Sequence, residues 1–468
     1  MTVRRLSAPD IDFASVRREL QLPVDYPAAA LAEARGAADR LAQARLDRTD
    51  LPLVTIDPAT SMDLDQAIYL VRDGHNYVLH YAIADVGALV VPTGALDAES
   101  RRRGQTVYLP DGSIPLHPRE LSEGVGSLLP DQRRPAVLWR IVIDGDGAVH
   151  DVSVTRALVK SIAKLNYSSV QADADAGRLH PSIAALPDFG ELRAQVAADR
   201  GAIELRLPAQ DVVREEGGWR LIVSPRTRAD MWNSQASLLT GMCAGMIMRE
   251  NKIGLLRTLP PVTAAAQADL RASAQSLGID WPAGRSASQV LAGLDPALPQ
   301  TLALMSDATT LLRGAGYLAM TGSIAPDAVT EHGGIAGVYA HVTAPLRRLA
   351  DRFATECCLA LTANHPVPEW VSAALPELPT LMKASDSLAN KAERRCIDLA
   401  EATLLRDQVG QSFAAVVLHA RRRDRPAQIF VEEPAVIANC AGDPAEGSAI
   451  IVTLAEATVD PPRVSFRL

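Results

Sequence analysis

The segment TIDPATSMDLDQAI, residues 55–68, places three aspartates directly after the apolar stretch LPLV. Asp57 ends a predicted strand, because the following Pro58 has no N–H to continue a strand's hydrogen-bond ladder. Asp63 and Asp65 are two residues apart, so in an extended segment their side chains project from the same face. If the intervening loop folds back, the carboxylate of Asp57 joins the other two.

Three carboxylates brought together without a basic partner repel one another strongly, and a divalent cation is the usual remedy. Hard oxygen ligands favour Mg²⁺, with Mn²⁺ as the alternative. Such a site suits phosphoryl chemistry, in which the metal activates a water and stabilises the leaving oxygen. The spacing is therefore compatible with a divalent-metal site that serves phosphoryl chemistry.

Other interpretations of the segment are open at this point. Its aspartates could simply cap neighbouring backbone N–H groups in a polar loop. An EF-hand is excluded, because the spacing is wrong and the obligatory glycine is missing. The Asp-Leu-Asp triplet also resembles the nucleophile loop of haloacid-dehalogenase-type phosphatases. That alternative is disfavoured, because Thr60, Ser61 and Met62 replace the apolar strand that should directly precede the first aspartate.

The composition is that of a globular chain. Its 468 residues suit roughly three domains, and 48% hydrophobic with 22% charged residues is an ordinary balance. No apolar run approaches the roughly 18 to 20 residues that span a bilayer, and the N-terminus lacks a secretory signal. Five scattered cysteines without a CxxC pair predict neither a disulfide framework nor a zinc site. We therefore expect reduced cysteines and a cytoplasmic location, with no membrane association.

The charge distribution is uneven. A net charge of −8 disfavours nonspecific coating of duplex nucleic acid. Arginines nevertheless occur in groups, and a local basic track remains possible if the acidic residues concentrate elsewhere. The groups are Arg101–Arg103, Arg133–Arg134, Arg347–Arg348, Arg394–Arg395 and Arg421–Arg423.

The order of local patterns predicts an α+β protein. Residues 1–49 read as a helical segment, with candidate helices at 11–22 and 28–44 and a possible helix-turn-helix. Residues 50–406 form a large mixed domain, with strands first and helices dominating from about 187, including one at 345–361. Residues 407–468 revert to short strands and fit a small five-stranded barrel of the OB type.

At this point the chain shows a family resemblance. TIDPATSMDLDQAI resembles the signature of the ribonuclease II/R (RNB) family of hydrolytic 3′→5′ exoribonucleases. Five further segments resemble family blocks in the same order, so the resemblance covers about residues 50–405. They are RGQTVYLPDGSIPLHPRELSEGVGSL (103–128), AKLNY (163–167), RGAIEL (200–205), HGGIAGVYAHVTAPLRRLAD (332–351) and ERR (393–395). The tail resembles the family's C-terminal OB-fold RNA-binding domain.

The resemblance implies a large RNB-type catalytic domain that degrades single-stranded RNA to 5′-nucleoside monophosphates. Asp57, Asp63 and Asp65 occupy three of the four acidic positions that hold magnesium in the family. Gln66 stands at the fourth, where an amide oxygen can still coordinate a cation but with less charge. Arg347 corresponds to the arginine that holds phosphate at the active site.

The resemblance also implies RNA contacts outside the acidic cluster. Tyr167 corresponds to the tyrosine that stacks on a base near the scissile bond. Arg348 assists Arg347, and Tyr339 and His341 are expected to line the channel. No clear second aromatic is evident for clamping RNA bases. Single-stranded RNA is the expected partner, and no stable protein partner is predicted.

Two departures from the family pattern affect the interpretation. Fewer than 51 residues precede the strand that ends at Asp57, so we expect a short form without the N-terminal OB/cold-shock pair. Gln66 replaces an aspartate, which motivates an alternative function. In that alternative the chain is a catalytically weakened RNA-binding protein of the same fold.

Overall fold

The computed structural model describes residues 6–205, 207, 209–224, 226–295, 297–422 and 425–468. Arg423, the last member of the 421–423 arginine group, lies outside the described residues. Helices and strands are mixed as an α+β protein requires, so the predicted class is confirmed. Within the described part, no helix is long and apolar enough to cross a membrane.

The first region contains most of the strands of the large domain. Its elements are α1 (Phe13–Glu19), α2 (Ala28–Arg35), β1 (Leu46–Asp47), β2 (Leu53–Ile56), β3 (Gln66–Asp73), β4 (Asn76–Ala84), α3 (Val86–Leu89), α4 (Ala95–Arg103), β5 (Val107–Leu109), β6 (Gly112–Ile114), β7 (Arg133–Ile143) and β8 (Val149–Leu165). Strands β2, β3, β4, β7 and β8 pair antiparallel in that order. The end of β8 then runs parallel to β2, which closes the strands into a ring.

Helices dominate the second region, as predicted. Its elements are α5 (Tyr167–Asp175), α6 (Leu186–Arg200), β9 (Ala209–Glu215), β10 (Gly218–Ser224), α7 (Arg228–Asn251), β11 (Ile253–Thr258), α8 (Ala264–Ser276), α9 (Ala287–Ala292), α10 (Pro299–Ala308), β12 (Gly316–Thr321), α11 (Leu349–Thr362), α12 (Glu369–Ser372) and α13 (Leu378–Leu405). Two antiparallel strand pairs that we did not predict, β9–β10 and β11–β12, interrupt the helices. The β9–β10 hairpin has a glycine-rich turn, which is an ordinary hairpin signal.

Two predicted helices have different limits in the structure. The helix predicted over 28–44 ends at Arg35, with Gly36 as its C-cap. The helix predicted over 345–361 begins only at Leu349, because Arg348 has extended backbone angles of φ −143° and ψ 122°. Arg347 therefore lies in the irregular segment before α11, not at a helix N-terminus.

Both faces of the strands in the ring are apolar and buried, and helix residues pack against each face. Strand β4 is buried from Tyr77 to Ala84, so both of its faces are covered. The side chains of Tyr81 and Trp139 belong to one buried cluster with residues of α7 and α11. Complete burial of both faces explains why β4 reads as a nearly continuous apolar run rather than an alternating one.

The C-terminal residues form the expected five-stranded barrel. Its strands are β13 (Ser412–His419), β14 (Ala427–Val431), β15 (Val436–Ala441), β16 (Ala449–Val459) and β17 (Pro462–Arg467). They close in the order β13-β14-β15-β17-β16. Strand β15 was not predicted, because Asn439 interrupts its short apolar pattern. The domain boundaries at 49/50 and 406/407 stay a prediction.

The N-terminal segment packs on the large domain through one aromatic contact. The ring of Phe13 in α1 meets Trp219 in β10 edge to face, with 5.2 Å between centroids. Both side chains lie in a buried cluster shared with α13 and the barrel. Such a pair contributes about 0.5–1.5 kcal/mol beyond its buried area.

Gly104 supplies a stability test at the end of α4. Its φ is +73°, and an added Cβ would lie 2.5 Å from the Ser385 Cβ of α13. We expect Gly104→Ala to lower the free energy of unfolding by about 1–3 kcal/mol, because strain and a clash add. Gly74 is the control, since its φ is +61° and nothing lies within 4 Å of an added Cβ. Urea unfolding should show Gly74→Ala losing clearly less; equal losses would contradict the packing argument.

Candidate active site

The acidic segment leaves β2, turns back, and enters β3. Asp57 follows the last residue of β2, and its N–H donates to the Leu165 carbonyl, 3.2 Å away, at the end of β8. Asp63 and Asp65 come just before β3, which begins at Gln66. The negative charge of Asp63 raises the pKa of both Asp57 and Asp65. The three aspartates are therefore near enough to interact electrostatically, and the convergence of their carboxylates on one cation stays a prediction.

Asp65 is the most deeply placed of the three. Its Oδ1 accepts the Leu346 N–H at 2.7 Å, and its Oδ2 lies 3.5 Å from the Arg347 Nε. Burial raises its pKa to about 8, although the charge of Arg347 and the Leu346 N–H act in the opposite direction. Desolvation of the charged form outweighs both stabilising contacts. A cation placed here would favour the ionised carboxylate.

One carboxylate oxygen of Asp57 is available to bind a cation. Its Oδ2 is buried and, among the described residues, has no hydrogen-bond partner. Burial raises its pKa to about 6, with Arg347 acting against the shift and Asp63 adding to it. An orphaned carboxylate oxygen beside two further carboxylates is the donor set that a hard divalent cation prefers. The residues present fit Mg²⁺ or Mn²⁺.

Gln66 is engaged by protein groups on both sides of its amide. Its Nε2 donates to the Thr343 carbonyl at 2.6 Å. Its Oε1 accepts the hydroxyls of Tyr81 and Ser237, the latter at 3.3 Å. These bonds use both lone pairs of the amide oxygen. The metal-ligand role of Gln66 stays a prediction. Its hydrogen bond to Thr343 connects the start of β3 to the segment before α11.

Arg347 lies in the segment before α11, which is hydrogen-bonded to the residues between α4 and β5. Its carbonyl accepts the Thr106 N–H at 2.9 Å, and Leu349 N–H donates to Gly104 at 2.9 Å. The Arg347 side chain is 49% exposed, so its guanidinium can meet a ligand as well as Asp65. Arg348, in contrast, pairs through two nitrogens with the buried Asp351, at 2.5 and 2.8 Å.

The two arginines border a polar pocket of about 500 Å³. Tyr108, an exposed tyrosine of β5, lines this pocket. Its side chain interacts electrostatically with Arg347, Asp63 and Asp65. No sequence signal singled out Tyr108, although it lies in the block 103–128. The pocket is lined by Gln105, Thr106, Tyr108, Arg257, His341, Arg347, Arg348, Asp386, Ala389, Asn390 and Glu393.

The structure separates the other predicted RNA-binding residues. Tyr167 is the first residue of α5 and close to Asp57, whose charge raises the Tyr167 pKa along with burial. His341 lines the pocket, but its Nδ1 is bonded to the Tyr317 hydroxyl at 2.7 Å. Burial keeps the His341 pKa well below its usual value. Tyr339 packs edge-on against His341, with 5.5 Å between ring centroids.

Most of the arginine groups are neutralised locally and do not form a basic track. Arg101 pairs with Asp97, while Arg102 and Arg103 share Glu99. Acidic partners also neutralise Arg133, Arg394 and Arg395, through Asp47, Asp398 and Glu19 respectively. No ion pair of the described residues includes Arg421, Arg422 or Arg425.

Among the described residues, a group of possible metal ligands that does not include the three aspartates lies at the junction of the barrel with the large domain. Single ligand atoms of Asp307, His419 and Glu446 lie within 4.8 Å of one another. The His419 Nδ1 is 3.1 Å from Asp307, and its Nε2 is 3.0 Å from the Ser306 hydroxyl. Both ring nitrogens are thus occupied by protein partners that hold the barrel to α10.

Comparison with known proteins identifies the family. The RNB domain model matches residues 45–361, and the model of the RNase II-type exonuclease C-terminal S1 domain matches residues 411–468. The chain belongs to the RNB family. Exoribonuclease 2 of Photorhabdus laumondii is 33% identical over 222 residues, which are 45% of this chain and 34% of that protein. Ribonuclease R of Escherichia coli is 26% identical over 436 residues, 86% of this chain and 52% of that protein.

The RNB chain spans about a third to a half of the length of these two relatives. Among solved structures, apo RNase R of Mycoplasma genitalium superposes with a TM-score of 0.86 at 20% identity, covering 98% of this chain and 77% of that one. Yeast Ssd1, described as a pseudonuclease, superposes with a TM-score of 0.71 at 14% identity, covering 91% and 55%. At such identities the likeness shows the fold alone.

The raised pKa of Asp65 predicts a pH-dependent stability in the metal-free RNB chain. A folded-state pKa of about 8, against 3.8 when unfolded, means that the folded state holds a proton the unfolded state has lost. Stability therefore falls as pH rises from about 4 to about 8. We expect Asp65→Asn to raise the free energy of unfolding at pH 8, by an order of 1–3 kcal/mol, and not at pH 4.5.

The measurement is urea unfolding with EDTA at the two pH values. Asp97 is the matched contrast, because it is equally buried but its arginine partners lower its pKa. Asp97→Asn should reduce stability at pH 8. A wild-type chain that keeps the same stability as Asp65→Asn at both pH values would refute the assignment.

Proposed function

We propose that this RNB protein is a hydrolytic 3′→5′ exoribonuclease that degrades single-stranded RNA to 5′-nucleoside monophosphates. The observation that carries the proposal is the electrostatic coupling of Asp57 and Asp65 to both Asp63 and Arg347. The names of its relatives, exoribonuclease 2 and ribonuclease R, support the same reaction.

We assign Asp57, Asp63 and Asp65 as the ligands of Mg²⁺, or of Mn²⁺ in its place. When bound, the ion would activate water and stabilise charge on the leaving oxygen. The Leu346 N–H orients the Asp65 carboxylate from behind. We assign Gln66 to the hydrogen bonds that surround these carboxylates rather than to the metal ligands. Thr343, Tyr81 and Ser237 already bond its amide group.

Arg347 would stabilise the charge that develops on the phosphate. Its half-exposed guanidinium borders both Asp65 and the pocket, so one group can contact protein and phosphate together. A fixed arginine fork matches phosphate oxygens in geometry and charge. Arg348 keeps Arg347 in place, because its bidentate bond to Asp351 fixes the segment from Ala344 to Leu349.

Two tyrosines are suited to hold RNA bases near the scissile phosphate. Tyr167 lies next to Asp57, and Tyr108 lies next to Arg347 on the pocket wall. Stacking on an aromatic ring contributes about 1–3 kcal/mol per base without sequence preference.

A cytoplasmic location accords with the five cysteines, which are all free and buried.

The decisive experiment uses purified protein and a 5′-labelled single-stranded RNA, with Mg²⁺ or with EDTA. The proposal predicts a ladder that shortens from the 3′ end only with Mg²⁺, together with release of nucleoside 5′-monophosphates. Retarded but intact RNA under both conditions would instead support the weakened RNA-binding protein that Gln66 motivated.

Asp65→Asn should lower the rate by several orders of magnitude, because it removes the charge of the deepest ligand but retains its shape. RNA binding should persist or tighten, since one charge that repels phosphate is gone. The control is Asp188→Asn at an exposed position. Single-turnover degradation and filter binding measure the two effects; more than about a tenth of the wild-type rate would remove Asp65 from the site.

Arg347→Lys should reduce the rate constant for cleavage by roughly 10² to 10³, because a single ammonium cannot reproduce the planar fork. The comparison is Arg394→Lys, an exposed arginine on α13 that pairs with Asp398. Rates are measured at saturating RNA, so that a loss of binding alone does not mimic the effect. Equal rates in the two variants would exclude Arg347 from the reaction.

A further inference from the structure

The loop between Asp57 and Asp63 decides whether the two carboxylates meet. Pro58, Ala59 and Thr60 are exposed, as is Met62. Within the loop, the Ser61 N–H donates to the Pro58 carbonyl at 3.0 Å. An exposed loop of this kind loses conformational entropy when it is ordered, and something must offset that loss. The loop is tied down from outside by two residues of other elements.

The first tie is Lys164, near the end of β8. Its Nζ donates to the carbonyls of Ala59 at 3.0 Å and Ser61 at 2.6 Å. Strand pairing places it there, because Lys164 lies opposite Thr55 in the parallel register of β2 and β8. An ammonium that bridges two loop carbonyls makes charge-assisted hydrogen bonds, which are stronger than neutral ones.

The second tie is Ser127, which follows the π-helical turn Glu120–Val125. Its Oγ donates to the Met62 carbonyl at 2.6 Å and accepts the Leu64 N–H at 3.0 Å. The Leu128 N–H adds a bond to the Leu64 carbonyl at 3.0 Å. These contacts bracket Asp63 on both sides and fix its backbone.

We propose that Lys164, with Ser127, is a positioning residue that holds the loop 58–62 in the conformation in which Asp57 and Asp63 converge on one cation. This inference rests on the proposed function, because it concerns the metal ligands assigned there. Lys164 acts on the carboxylates through the loop backbone and does not touch the substrate. Without Lys164, the free energy that orders the loop must come from metal binding.

The direction in which Lys164→Met changes the cation affinity distinguishes this role from a purely electrostatic one. Lys164 is a positive charge close to Asp57. If only its charge mattered, Lys164→Met would remove a repulsion and strengthen cation binding. If the loop must be held, the same change weakens cation binding. The two roles predict shifts in opposite directions.

The experiment titrates Mn²⁺ into RNA-free protein, with bound ion followed by electron paramagnetic resonance. We expect Lys164→Met to raise the dissociation constant by about tenfold, the scale of losing one or two charge-assisted bonds. Lys164→Arg retains charge and donors and should restore most of the affinity. Lys160→Met is the control: it removes the same charge from the same strand, and the described residues show no hydrogen bond from Lys160 to the loop.

Two further readouts complete the test. At saturating Mg²⁺, the rate constant for RNA cleavage should fall much less than the metal affinity does. In metal-free protein, amide exchange at Ser61 and Leu64 should be faster in Lys164→Met than in Lys160→Met. Unchanged or tighter Mn²⁺ binding by Lys164→Met, or equal amide exchange in the two variants, would overturn the proposal. A wild-type chain that binds no Mn²⁺ would refute the assigned metal site, and amide exchange would still decide the role of Lys164.

Discussion

Parallel pairing between β2 and the last residues of β8 is the constraint on which the site depends. It closes the ring of strands, and it brings Asp57 to Leu165 at the end of β8, two residues before Tyr167. The same register places Lys164 under the acidic loop. A parallel neighbour needs a long crossover between its strands, so more than a hundred residues of chain separate Asp57 from Tyr167.

A second set of contacts fixes the segment that carries Arg347. Asp65 accepts the Leu346 N–H, Asp351 accepts the Ala344 N–H, and Thr106 donates to the Arg347 carbonyl. The segment is therefore held by backbone bonds at nearly every residue, although it has no regular secondary structure. Within this segment the Arg347 guanidinium lies at the pocket beside Asp65, whereas Arg348 makes two hydrogen bonds to Asp351. Adjacent arginines thus have different partners.

The fold alone does not decide whether an RNB protein cleaves RNA. A ribonuclease and a protein described as a pseudonuclease both superpose on this chain. The difference must come from side chains at the site. Here the deepest carboxylate, Asp65, is present with its orienting N–H, and Asp57 retains an unpartnered oxygen. Gln66, the one departure among the acidic positions, is part of the hydrogen-bonded frame around those carboxylates.

The sequence determined the elements whose signals are local. The apolar runs around Val54, Leu79 and Trp139 predicted strands because burial on both faces selects apolar residues, and the spacing of Asp63 and Asp65 predicted a shared face. Helix ends were less predictable. The start of α11 depends on the hydrogen bonds of Ala344 and Arg348 with Asp351, which only the folded chain forms.

Tertiary structure alone decided which polar residues face the site. The sequence could not show that Arg347 contacts Asp65, because folding brings these two residues together from distant parts of the chain. Arg348 and Asp351, in contrast, are only three residues apart. The sequence offered no reason to select Tyr108 or Lys164, because Tyr108 meets Arg347 and Lys164 meets the loop 58–62 only in the folded chain. Local patterns reflect burial, backbone geometry and ion pairs three or four residues apart, whereas contacts such as Arg347 with Asp65 and Arg395 with Glu19 join residues distant in the chain.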